Sequence, residues 1–211
     1  PAAFDMRKGT TPMGAVETMM INAAHVQIGK YLRLPTHSYM GLSDAKSVDG
    51  QAGLETGMGV LVAALAGANV ISGPGMLDFE SCQSLEKLVV DNEICGMALR
   101  LARGCEPKDD FPSLPIFREL LADGHLLISF HTRKHLKSEH YLPGPAMDRA
   151  NRSRWQAEGG RTNFERAHDE AEKIIGRYKP SNVPATAREE MVKLMTAEAK
   201  IHGLDKLPNR D

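Results

Sequence analysis

Apolar positions along the chain change their period several times. From Pro12 to Tyr31, Ile21, Ala24, Ile28 and Tyr31 recur at helical spacing, and Pro12 suits a first turn, so a helix is predicted over 12–31. The short stretch LPTHSYMG (34–41), closed by Gly41, reads as a buried strand. A second helix is predicted over 52–68, with Leu54, Met58, Leu61, Val62 and Leu65 as its apolar stripe. NVISG (69–73) reads as a second strand that runs into the turn GPG. A long helix follows over 81–103, with Leu85, Leu88, Val89, Cys95 and Leu99 on one side.

This order of helices and strands predicts an α/β fold, a parallel sheet covered by helices. Two strands are clear, with a third only if one precedes Pro1 or ends near Ala3, too few to close a barrel. After Cys105 the turn-rich stretch EPKDDFPSLP leads into helices predicted over 113–123, 125–137, 162–178 and 184–203. Phe164, Ala167, Ala171, Ile174, Ile175 and Tyr178 are the expected inner face of the third. The expected organisation is an α/β part over 1–105 and a helical extension over 106–211. The chain opens at Pro1 and reads as a piece of a longer one.

Composition removes some classes of function. Lys and Arg number 26 against 27 Asp and Glu, so no bulk attraction to nucleic acid or anionic lipid is expected. Cys82, Cys95 and Cys105 form no CxxC pair, which suits neither a disulfide framework nor a zinc ribbon. No secretory signal is read, and no apolar run approaches membrane-spanning length, so a cytoplasmic setting is expected.

The two polar loops GLSDAKSVDGQAG and SGPGMLDFES both follow predicted strands, where parallel α/β folds place their ligands. The first crowds Asp44, Lys46, Asp49, Gln51 and Glu55 into a short span between strand and helix. Asp49 has a structural alternative as the cap of the helix that follows. Glu55 lies inside that helix without an evident arginine partner, which points to a cationic ligand. Phe4 and Asp5 in FDMRKG are placed to supply one wall of the same mouth.

Other motifs carry less. HTRKH sets His131 and His135 one helical turn apart, but the glutamate of a zinc protease motif is missing and the stretch is basic, so no metal is expected there. ISGPGM lacks the phosphate-loop patterns and reads as a tight turn. Arg149, Arg152 and Arg154 beside Trp155 read as a helix end with arginines around one ring rather than a nucleic-acid patch.

Four long motifs, AAFDMRKGTTPMGAVE, GLSDAKSVDGQAGLE, ALAGANVISGPGMLD and LEKLVVDNEI, together with HYLPGPAMDR, resemble in order the C-terminal half of the trimethylamine methyltransferase family. The resemblance implies the C-terminal part of a TIM barrel followed by a mostly helical tail. It also implies transfer of a methyl group from a methylated amine to the cobalt of a corrinoid (cobalamin) carried by a cognate partner protein, with no tightly bound metal in this chain. Archaeal trimethylamine enzymes of the family carry pyrrolysine at the position of Leu42, so a quaternary amine such as a betaine is the expected methyl donor. Asp44 and Glu55 are the expected catalytic residues, with Phe4, Tyr39, Leu42, Ser43, Lys46 and Gln51 in substrate binding. Open sheet edges imply either a homo-oligomer or association with a missing N-terminal barrel half. The alternative is a non-catalytic half-barrel that serves binding or assembly.

Overall fold

Residues 1–108, 113–179 and 182–208 are described by a computed structural model. The first helix, α1 (Val16–Tyr31), begins four residues later than the position of Pro12 suggests. Pro12 stays outside because the next two residues turn their N–H groups to Asp44, while its carbonyl accepts from the Thr18 hydroxyl at 2.8 Å.

Strand β1 (His37–Tyr39), helix α2 (Gly50–Ala66) and strand β2 (Val70–Ser72) form a βαβ unit, its strands parallel with Ser38 opposite Ile71. Next comes an antiparallel hairpin of β3 (Met76–Leu77) and β4 (Cys82–Gln83), which the sequence pattern did not reveal. It occupies the start of the predicted long helix, so α3 (Leu85–Arg103) begins only where the Ser84 hydroxyl accepts from the Lys87 amide. Helices α4 (Leu114–Asp123), α5 (Phe130–Glu139), α6 (Arg152–Ala157), α7 (Asn163–Gly176) and α8 (Ala185–Ile201) complete the described elements. The short α6 was not predicted, and α5 starts later than expected because Ser129 is its cap, accepting from Thr132 N. Of the link EPKDDFPSLP, residues 109–112 lie outside the described residues.

The buried faces of α1, α2 and α3 are not the predicted ones. In α2 the buried residues are Ala52, Thr56, Gly59, Val60 and Ala63, whereas Leu54, Met58 and Leu65 are exposed. The cause is distance: α2 lies so close to the sheet that a Cβ at Gly59 would collide with the Met40 carbonyl oxygen. Only small side chains fit there, and the core at that point is Met19, Met40 and Ala63. Likewise α1 buries Thr18, Met19, Asn22, Val26 and Gly29 while Ile21, Ile28 and Tyr31 stay exposed. Helix α3 buries Lys87, Asp91 and Glu93 beside Val90 and Ala98, with Leu85, Leu88 and Leu99 outside. In α7 only Ala167 and Ala171 of the expected inner face are buried.

The chain divides into two compact units, Pro1–Ile174 and Ile175–Asp211. The expected division at residue 105 falls inside the first, where Arg100 of α3 donates to the Glu139 carbonyl and Gly144 N–H donates to the Glu93 carboxylate. The second unit contains α8, whose buried residue is Ala199. Among the described residues, no helix is long and apolar enough to cross a membrane.

Candidate functional site

The segment after β1 does not coil away from the sheet but is buried throughout: Met40, Leu42, Ser43, Asp44 and Ala45 are all nearly inaccessible. Two carboxylates hold it. Asp44 accepts from the Met13 and Gly14 N–H groups at 2.9 and 2.8 Å, tying the segment to the chain before α1. Glu55, in the second turn of α2, accepts from the Ser43 hydroxyl at 2.6 Å and from Asp44 N–H at 2.8 Å. Its other oxygen accepts from the Gln51 amide at 2.8 Å. Gly14 is needed here because a Cβ would sit 2.7 Å from a Glu55 carboxylate oxygen. Burial raises the Asp44 carboxyl above its ordinary value, with the Glu55 charge adding, against the pull of the Gly14 and Met13 N–H groups and Lys46.

Asp49 has a separate, structural task. Its carboxylate caps α2, accepting from Gln51 N and Ala52 N, and those bonds with the Ser47 hydroxyl hold its carboxyl below the usual range.

Asp44 and Glu55 open onto a solvent-accessible cavity of about 750 Å³, also lined by Phe4, Lys46, Gln51 and Phe79. Lys46 spans its edge. The Lys46 ammonium donates to the Asp44 carbonyl at 2.7 Å, lies 3.3 Å from Asp78 and sits 4.1 Å above the Phe79 ring centroid. The FDMRKG turn also lines the cavity, a loop rather than a strand end, closed by an Asp5–Thr10 bridge. There the Arg7 side chain and amide, with Lys8 N–H, hold the Asp5 carboxyl at about 2.

Five of the eight predicted residues, Phe4, Asp44, Lys46, Gln51 and Glu55, therefore meet at one cavity. Ser43 supports it from behind, buried and bonded to Glu55. Leu42 is only 1% exposed, beside Gly73, and does not line it. Tyr39 lies elsewhere on β1, its hydroxyl on the Met76 sulfur at 3.7 Å and its ring edge-on to His37.

Phe79 was missed by sequence reasoning. It lies in the β3–β4 loop, where Asp78, Phe79 and Glu80 have φ of 50°, 54° and 74°. Three successive non-glycine residues in the left-handed region are strained, at about 1–2 kcal/mol each. The loop's backbone is anchored by Asp78 N–H to the Ala45 carbonyl at 3.0 Å. A sequence signal existed, an aromatic flanked by acids in a loop after a predicted strand, but none of the three residues announces a positive φ.

The remaining motifs have local roles. ISGPGM is a turn with Gly73 and Gly75 at positive φ. Arg154 pairs with Glu158 and Arg149 donates to the Tyr141 carbonyl, while the Trp155 indole N–H reaches the Arg161 carbonyl. His131 and His135 have ring centroids 4.9 Å apart. Among the described residues, no group of three or more His, Cys, Asp or Glu comes together as a metal site would require.

Comparison with known proteins gives this arrangement a context. The profile of the family described as Trimethylamine methyltransferase (MTTB) matches residues 1–200. The chain is 34% identical over 180 residues to the glycine betaine methyltransferase of Desulfitobacterium hafniense strain Y51, covering 85% of this chain and 37% of that protein. It is 31% identical over 189 residues to the trimethylamine methyltransferase MttB of Methanosarcina barkeri, covering 89% of this chain and 38% of that protein. The MttB of Desulfitobacterium hafniense strain DSM 10664 / DCB-2 is 31% identical over 181 residues, 86% of this chain and 36% of its own length. The chain thus spans little more than a third of the length of these relatives. A profile match over nearly the whole sequence, with the acidic loop and the turns around it inside the match, means that the chain belongs to the trimethylamine methyltransferase family.

Proposed function

We propose that this chain forms part of a methyltransferase that moves a methyl group from a quaternary amine, a betaine-type zwitterion, to a corrinoid carried by a partner protein. The observation that carries this reading is the ammonium of Lys46 seated over Phe79 at the edge of a cavity that also holds Asp44 and Glu55. An aromatic face beside carboxylates attracts a cation without needing a hydrogen from it. A quaternary ammonium has no N–H to donate, so ring faces and charge are what can hold it.

In this reading Phe79 and Phe4 flank the cationic head, and Glu55 and Asp44 supply its counter-charge. Lys46 or Gln51 meets the donor's own carboxylate. Glu55 is fixed by Ser43, Asp44 N–H and Gln51, so its charge is in place before the donor arrives. The corrinoid, when bound, supplies the electron pair for the new bond to the methyl carbon. Nitrogen keeps the pair of the broken bond and leaves as a neutral tertiary amine, so no proton is required. The chain's contribution is orientation and electrostatics.

The fold we propose for the whole is a TIM barrel to which β1 and β2 belong. Along this pair, Ser38 and Met40 are buried, whereas His37 and Val70 are exposed on the other face. That face is where the remaining strands, or a second chain, would close on it. The alternative, a half-barrel that binds without turning over, predicts the same binding but no methyl transfer. Calorimetric titration of the full-length protein with glycine betaine and with trimethylamine tests the site itself. Binding of the first, lost on Phe79→Ala, is expected; equal binding by wild type and Phe79→Ala would refute it.

A further inference from the structure

Lys87 and Asp91, one turn apart on α3, are both wholly buried, an expensive thing to bury. Lys87 Nζ donates to Asp91 Oδ1 at 2.6 Å and to the Thr56 hydroxyl at 2.8 Å. Asp91 also accepts from Gly75 N–H at 2.7 Å. Stability gives no reason for the choice, because packed apolar residues of similar volume often serve as well as a buried ion pair.

The partners give a reason. Thr56 follows Glu55 in α2, and Gly75 precedes Met76, whose carbonyl accepts from Ser43 N–H at 3.2 Å. Ser43 in turn bonds Glu55. A closed circuit runs Lys87, Thr56, Glu55, Ser43, Met76, Gly75, Asp91 and back to Lys87. Each hydrogen bond in it joins two different elements, apart from the ion pair itself.

We propose that Lys87 and Asp91 are positioning residues that fix the direction of the Glu55 carboxylate by gripping, from α3, helix α2 through Thr56 and, through Gly75, the turn whose Met76 carbonyl holds Ser43. Neither lines the cavity. Their consequence for the methyl donor rests on Glu55 being its counter-charge; the positioning itself does not.

The test uses the full-length protein isotope-labelled at aspartate, because the Asp44 amide that donates to Glu55 reports the bond directly in an NMR spectrum. Two variants loosen the circuit. Thr56→Val removes the hydroxyl at constant shape, and Lys87→Met/Asp91→Asn keeps an acceptor for Gly75 while cutting the tie to Thr56. In both the Asp44 amide resonance should move, and glycine betaine should bind roughly tenfold more weakly. Thr56→Ser, which restores the hydroxyl, should return both readouts to wild type. Should the double variant not fold, Thr56→Val alone carries the test. Movement of the resonance with unchanged betaine affinity supports the positioning role and removes Glu55 as counter-charge. An unmoved Asp44 resonance in folded Thr56→Val overturns the proposal, whatever the affinity.

Discussion

The Ser43 hydroxyl and the Glu55 carboxylate meet at 2.6 Å, joining the segment after β1 to the second turn of α2. The same carboxylate oxygen accepts from Asp44 N–H. Glu55 is thus both a charge at the cavity and the lid on a buried amide, and two substitutions separate the roles.

Glu55→Gln can keep both bonds, its amide oxygen facing Ser43 and Asp44 and its NH2 facing a Gln51 side chain turned by half a revolution. Its melting temperature should stay near wild type while the affinity for a quaternary amine falls. Glu55→Ala leaves the Asp44 N–H without an acceptor and should cost about 1–3 kcal/mol of stability. Denaturant unfolding of both variants beside ligand titration checks this. A Gln variant that unfolds readily but binds normally would make Glu55 a purely structural residue.

Phe79 sits at φ 54° in a loop whose neighbours Asp78 and Glu80 also have positive φ. Phe79→Gly should relieve about 1 kcal/mol of backbone strain and so hold or raise the melting temperature. The same change deletes the ring under the Lys46 ammonium and should abolish betaine binding. Thermal unfolding and calorimetry on one preparation show whether stability and binding move in opposite directions.

How far the sequence could be read depended on what each stretch spends its residues on. The βαβ order from His37 to Ser72 was legible, because strand and helix periods differ and glycines mark the joints. The buried faces were not. Large apolar residues suggested Leu54, Met58 and Leu65, but close approach of α2 to Met40 leaves room at that point only for Gly59 and Ala63. The acidic loop was found as a cluster, yet its three carboxylates have different tasks: Asp49 caps a helix, Asp44 binds two amides, and Glu55 reaches the cavity. Phe79 was hidden because a left-handed turn without glycine leaves no mark in the residue types.

Gly59 offers a packing test. A methyl group there meets the Met40 carbonyl, which as buried backbone next to the Gly41 N–H bonded to Ser72 cannot move aside cheaply. Gly59→Ala should therefore destabilise by about 1–3 kcal/mol despite the better helix propensity of alanine. Gly57→Ala, where nothing lies within 4 Å of the new Cβ, is the control and should stabilise. Chemical denaturation of the pair gives the comparison.

The Glu86–His168 pair, 2.9 Å apart between α3 and α7, makes a prediction about pH. The Ser84 hydroxyl and His168 hold the Glu86 carboxyl at about 2, below its ordinary 4.5, and Glu86 raises His168 above 6.5. The lowered Glu86 contributes stability above pH 4.5 that disappears as pH falls toward about 2. The raised His168 contributes below pH 6.5 and loses its share as pH rises through its folded value. The difference in melting temperature between wild type and His168→Ala should therefore be largest between those limits and shrink on both sides. A difference that does not vary with pH would mean that the pair is not coupled in solution.

The most direct measurement is methyl transfer by the full-length protein to its reduced corrinoid partner, with glycine betaine and trimethylamine compared under the same conditions. Dealkylation of the betaine to its tertiary amine, matched by methylation of the corrinoid, with trimethylamine inert, is the result expected of a cation site that orients a quaternary donor beside Phe79 and Glu55. Sustained turnover of trimethylamine with no turnover of any quaternary amine would contradict it.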